Sequence, residues 1–185
     1  FKPDLKYRDI QKTINFGLAY GMSKFKLADT IEIEVEQAGQ IIDKFFKAVP
    51  KVKQFLDMLG RTAVQKGRIK SPPPYRRIRW FDDYKSQDKK ILGSIERRGK
   101  NMPIQACNAD LTKLALIQLY REIHNNNLPV RLIHTVHDEI QCEVREDFAE
   151  QWVITMNNLM EESGKVVVQS IPMKVDCKIS GCWSK

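Results

Sequence analysis

Arg8, Lys12, Phe16 and Tyr20 stand four residues apart in the segment RDIQKTINFGLAYG. On an α-helix each step of four turns the side chain by ~400°, so the four residues line one slowly spiralling stripe ~18 Å long. Two cations near a helix start combine with the positive end of the helix dipole and suit a polyphosphate. The two rings follow where a sugar and a base would lie. The same spacing also fits an amphipathic surface helix with snorkelling cations, and spacing alone leaves both readings open. A second cluster, His137-Asp138-Glu139, lies between two apolar runs. Carboxylates on a turn are hard oxygen donors suited to a divalent cation, although such a triplet is equally an ordinary solvated turn.

Periodicity defines the elements that must position these residues. The stripe requires a first helix, followed by a turn at Met22-Ser23 and a short helix over 24–30. Residues 34–48 read as a further helix with Ala38, Ile41, Ile42, Phe45 and Phe46 on its apolar side. After Pro50 a next helix carries Val52, Phe55, Leu56, Leu59 and Val64 up to Gly67. Ser71-Pro72-Pro73-Pro74 cannot be helix interior, because proline lacks the amide hydrogen and collides with the preceding turn. Residues 67–84 therefore read as a projecting loop or short hairpin. A long helix is expected over 89–125, disturbed at 99–103, with Ala109, Leu111, Leu114, Ala115, Ile117, Leu119 and Ile123 on its packed side. Segments 130–136 and 140–144 alternate and read as a β-hairpin with His137-Asp138-Glu139 at its tip. A helix near 148–163 and a strand near 171–178 complete an antiparallel sheet backed by helices. The expected fold class is α+β, with a helical lobe over 1–88 and a sheet-bearing lobe over 89–185.

With 185 residues and 42% hydrophobic content, the chain can bury a core as one domain or two small lobes. A net charge of +8 favours a polyanionic partner. Basic residues concentrate locally in Arg68-Ile69-Lys70 and Arg76-Arg77-Ile78-Arg79, runs that read either as solvated loops or as nucleic-acid backbone contacts. Cys107, Cys142, Cys177 and Cys182 show no CxxC pairing and no histidine at zinc-ligand spacing. They read as small buried or half-buried side chains in a reducing compartment. No apolar run reaches membrane-spanning length and no secretory signal is present, so no membrane partner is expected.

Residues 12–23, KTINFGLAYGMS, resemble the fingers-helix motif of family A DNA polymerases, the bacterial polymerase I group. Asn101-Met102-Pro103-Ile104-Gln105 resembles the segment that opens the primer-side helix of that family, and His137-Asp138-Glu139 resembles its palm motif. The three motifs come in the family's order, and the resemblance runs from about Lys6 to the end. It implies a fingers subdomain over 1–88 and a distal palm over 89–185. The implied activity is template-directed transfer of a nucleotide from a dNTP to a primer 3′-hydroxyl, assisted by two Mg²⁺ ions, with Mn²⁺ as a substitute.

Residue by residue, the resemblance implies that Arg8 and Lys12 hold the triphosphate, Lys12 also acting in catalysis. Phe16 packs on the sugar and base of the incoming nucleotide, and Tyr20 occupies the template-base position in the open state. Asp138 is the expected metal ligand, with Glu139 secondary. Arg97, Asn101, Gln105 and His137 are expected on primer-template DNA, joined by Arg76 and Arg77. Departures are Ala106-Cys107, where the family often has Gly-Thr, and the triple proline before Tyr75. The family's other palm carboxylate, its thumb and its exonuclease region are expected upstream, in the same product or in a second chain. The chain by itself is therefore expected to be inactive. The implied setting is the cytoplasm of a bacterial or phage-infected cell, or an organelle. A single-subunit RNA polymerase fragment and a non-catalytic DNA-binding remnant are the alternatives.

Overall fold

The computed structural model describes residues 5–182, which form an α+β arrangement of helices and two antiparallel strand pairs. Two compact units are present. The first takes the residues up to Lys70 together with Ile78–Pro103, and the second takes Ser71–Arg77 with the residues from Ile104 onward. The lobe boundary expected after residue 88 thus falls inside the first unit. The division between units lies within the long helix that begins at Lys89.

In the first unit, helix α1 (Leu5–Ala19) leads through a turn into α2 (Lys24–Ile31). Gly21 makes that turn at φ 75°, a left-handed conformation that disfavours any side chain. Ser23 then caps α2, its hydroxyl oxygen accepting the Lys26 amide N–H at 3.3 Å. Leu27 and Ala28 of α2 meet Ala38 of α3 (Val35–Ala48) in a small core, with Ile14 and Met22 packed against it. Helix α4 (Pro50–Lys66) opens with proline at its first turn and closes on Gly67 at φ 62°. A Cβ on Gly67 would lie 2.4 Å from the Tyr84 ring.

The buried side of α4 is Leu56, Leu59, Gly60 and Ala63. The expected apolar stripe is corrected there, since Val52 and Phe55 are both 45% exposed. Small residues decide which face goes inward. Gly60 lies under Glu96 and Lys100, and Gly99 approaches Ala63 so closely that a Cβ would stand 2.4 Å away. Lys100 Nζ closes this crossing by reaching Glu96 Oε1 at 2.7 Å and Asp57 Oδ1 at 3.6 Å. The Asp57 carboxyl is held below the usual carboxylate range, first by its hydrogen bond from Lys53. Strands β1 (Arg68–Lys70) and β2 (Ile78–Trp80) pair as a short ribbon, and a 3₁₀ turn at Asp82–Lys85 follows. The expected disturbance near 99–103 does not break the next helix. Helix α5 runs unbroken over Lys89–Asn125 with Pro103 inside it.

The second unit packs the later part of α5 and helix α6 (Ala149–Val167) against the hairpin of β3 (Val130–Val136) and β4 (Glu139–Val144). Its core consists of Ala115, Leu119 and Ile123 from α5, Val130 and Ile140 from the sheet, and Trp152, Met156 and Met160 from α6. Ala109 is exposed and Ile117 is 48% exposed, so the packed stripe of α5 is narrower than expected. The expected strand near 171–178 is also corrected, because this sheet has two strands among the described residues. The period-2 pattern survives there: Met173, Val175 and Cys177 are half-buried while Lys174, Asp176 and Lys178 are exposed. Val175 and Cys177 pack on the core. What the segment lacks is a backbone ladder, which periodicity in side chains cannot report.

Candidate functional site

The candidate residues fall into groups, one set in each compact unit. In the first unit, Ile14, Gly17 and Leu18 turn toward the protein, Leu18 being 2% exposed, and this fixes which side of α1 remains free. Arg8, Lys12 and Phe16 lie on that free side, with Phe16 59% exposed. Tyr20 stands one residue beyond the end of α1, yet its amide still donates to the Phe16 carbonyl at 2.9 Å. The Phe16 and Tyr20 rings stack, with centroids 6.4 Å apart and planes at 22°. The expected stripe is therefore continuous, and its two rings end it as a stacked aromatic pair. Arg97 on α5 lies against the end of this stripe, its Cγ 3.3 Å from where a Gly21 Cβ would stand.

One turn on from Arg97, Asn101 has a buried Oδ1 that accepts no hydrogen bond among the described residues. An unmatched buried acceptor is costly, and helical spacing gave no sign of it. Gln105, in the second unit, is exposed.

In the second unit, Val136 pairs with Glu139, leaving His137 and Asp138 as a two-residue turn. His137 adopts φ 55°, which is uncommon for a residue with a side chain. Tight hairpins demand positive φ at the first turn position, and glycine is the usual solution. Here a histidine is held there instead, the kind of local strain that clusters at functional sites. His137, Asp138 and Glu139 are all exposed. Among the described residues neither carboxylate enters an ion pair, and no group of three or more His, Cys, Asp or Glu side chains could hold a metal ion. The tip thus offers hard oxygen donors for part of a coordination shell.

Arg76 and Arg77 occupy the loop that joins the β1–β2 ribbon, and the two residues differ. Arg76 is exposed at φ 49°. Arg77 is tied down: Ser71 N–H donates to its carbonyl at 2.8 Å, and its own N–H donates to Ser71 Oγ at 2.9 Å. Its Nε donates to Asp110, whose side chain is 3% exposed. Sequence reasoning missed Asp110, although a lone acid between Ala109 and Leu111 on a packed helix already called for a cation. Burial pushes the Cys107, Cys142 and Cys177 thiols above their ordinary range. They stay protonated near neutral pH, and none reads as a nucleophile.

The family model of DNA polymerase family A matches residues 3–185. DNA polymerase I of Caldicellulosiruptor bescii is 34% identical over 176 residues, which is 95% of this chain and 20% of that protein. DNA polymerase I of Geobacillus stearothermophilus is 32% identical over 172 residues, 93% of this chain and 19% of that protein. The chain spans about a fifth of the length of these curated relatives. Among solved structures, the polymerase domain of Pol1 from M. smegmatis, in complex with DNA primer-template and dNTP, superposes with a TM-score of 0.80 at 26% identity. That match covers 88% of this chain and 28% of the other.

Proposed function

Because the chain belongs to DNA polymerase family A, we propose that it supplies the nucleotide-gripping helix and one metal-binding turn of a template-directed DNA polymerase. The observation that carries this reading is the hairpin tip. A strained two-residue turn holds Asp138, with Glu139 beside it, in solvent and outside any ion pair among the described residues. Carboxylates kept free in that way in a chain of net charge +8 suit a divalent ion better than an ion pair.

Asp138 is the proposed ligand and Glu139 its auxiliary, with Mg²⁺ as the ion and Mn²⁺ able to replace it. When bound, two such ions lower the pKa of the primer 3′-hydroxyl and neutralise charge on the leaving pyrophosphate. Lys12 and Arg8 bind the triphosphate and hold it in line, so that positioning and charge neutralisation act together. Phe16 packs on the sugar and base, and Tyr20, stacked with it, fills the place of the template base before closure. Arg97, Asn101, Gln105 and His137 contact primer-template DNA, where minor-groove acceptors of similar position let amide donors test pair shape rather than sequence. Arg76 contacts backbone phosphate freely, while Arg77 does so with one donor already engaged.

Domains follow the same reading: fingers to about residue 88, distal palm thereafter, with the rest of the polymerase in the same product or a second chain. The relatives matched are DNA polymerases, which favours deoxynucleotide substrates over the RNA-polymerase alternative. No helix among the described residues is long and apolar enough to cross a membrane.

The test joins this chain to the upstream polymerase segment of a relative and measures primer extension. Asp138→Ala is expected to lower the extension rate on the order of 10³-fold, the scale on which loss of a transition-state charge partner registers. Extension at an unchanged rate in that variant removes Asp138 from the metal site. Absence of extension in every combination leaves the non-catalytic DNA-binding reading in its place.

A further inference from the structure

In the β1–β2 ribbon, Arg68 stands opposite Trp80 and Lys70 opposite Ile78. Side chains alternate along a strand, so these four share one face, while Ile69 and Arg79 share the other. Ile69 is 4% exposed, which turns its face inward and the Arg68–Lys70–Ile78–Trp80 face outward. Trp80 is 60% exposed and Ile78 45%, and the Arg68 guanidinium lies 5.3 Å from the Trp80 ring centroid. Both charges on this face are positive. None of these residues belongs to the nucleotide stripe or to the hairpin tip.

We infer that this ribbon face is a stacking site for an unpaired nucleotide of single-stranded DNA, Trp80 taking the base and Arg68 and Lys70 the flanking phosphates. An exposed indole has a π-face to offer, and every base has one to match it, so the contact tolerates any sequence. A duplex keeps its base faces stacked on one another, which leaves Trp80 without a partner there. Asp82, Asp83 and Arg98 line a groove that Trp80 also borders. Two acids outnumber one cation there, whereas both charges on the Arg68–Lys70 edge are positive, so the strand follows that edge. The inference rests on the polymerase reading in one respect, that the strand concerned is unpaired template.

The experiment uses the whole chain and fluorescein-labelled dT12, compared with a blunt duplex of the same length, by fluorescence anisotropy. Trp80→Ala is expected to weaken dT12 binding about tenfold and duplex binding less than about twofold. Trp80→Phe, which keeps a ring, retains most of the affinity. Trp80→Phe is expected to lose the part of the dT12-induced quenching that Trp80 contributes, read as the difference from the parent chain, in which Trp152 and Trp183 are unchanged. A dT12 affinity within about twofold of the parent in Trp80→Ala overturns the site, as does an equal loss on both DNAs or no dT12 binding by the parent. Asp138→Ala in the extension assay tests the polymerase reading separately. A stacking site that fails while that variant still abolishes extension leaves the polymerase reading intact.

Discussion

Asp110 limits what Arg77 can do. A carboxylate 3% exposed needs a partner, and the Arg77 Nε supplies it, although the arginine itself remains 45% exposed. The pair also receives support from Ser71, which brackets Arg77 through both backbone groups. Arg77→Ala leaves the Asp110 carboxylate buried without its donor, and a loss of about 1–3 kcal/mol in stability is expected. Arg76→Ala removes an exposed side chain without an ion pair among the described residues and should change stability by less than about 0.5 kcal/mol. Urea denaturation of the two variants at constant m-value reads the difference. Equal midpoints would mean that the Arg77–Asp110 pair carries no stability. The two adjacent arginines looked alike in sequence, because a run of basic residues does not reveal which one faces a buried acid.

At the scale of elements, glycine placement decides the helix crossing in the first unit. Gly99 in α5 stands where a Cβ would meet Ala63 Cβ at 2.4 Å and the Leu59 carbonyl at 3.4 Å. Alanine is the better helix former by about 1 kcal/mol, so an exposed glycine replaced in this way would stabilise. Here neither neighbouring atom is the end of a flexible chain. Gly99→Ala is expected to destabilise by about 1–3 kcal/mol through overpacking, and Ala63→Gly in the same background should recover part of that loss. Thermal unfolding of the single and double variants measures the coupling, and additive effects would show that the two residues do not touch. Gly99 and Pro103 suggested a disturbed helix, yet the glycine serves close packing and α5 continues through both. Most elements were legible because caps and periods were local: Ser23, Gly67, the 3.6-residue stripes and the alternating hairpin. Two features were not. Val52 and Phe55 are apolar and outward because α4 crosses α5 through Gly60 and Ala63, a matter of approach distance. Segment 171–178 alternates like a strand without pairing like one among the described residues, since pairing depends on a neighbour's backbone.

For the whole molecule, binding and turnover make different demands. Binding needs cations presented to phosphates, and the chain has 31 Lys and Arg against 23 Asp and Glu. Turnover by the two-ion route needs carboxylates enough to hold two cations ~3.5–4 Å apart. Among the described residues the candidate ligands are Asp138 and Glu139 at one turn, with no cluster of three. On the proposed reading the two demands separate in this chain. By itself it should bind primer-template DNA and leave the primer unextended at any Mg²⁺ or Mn²⁺ concentration. Its DNA affinity should fall linearly on a log–log plot against salt, with a slope of about −0.9 for each duplex phosphate neutralised. For four phosphates that slope lowers affinity roughly 150-fold between 50 and 200 mM salt. Anisotropy titrations across salt and a gel assay of primer length, performed on the same preparation, read both properties. Extension by the isolated chain would mean that two carboxylates at a hairpin tip suffice. A salt-independent affinity would mean that the positive charge faces something other than phosphate.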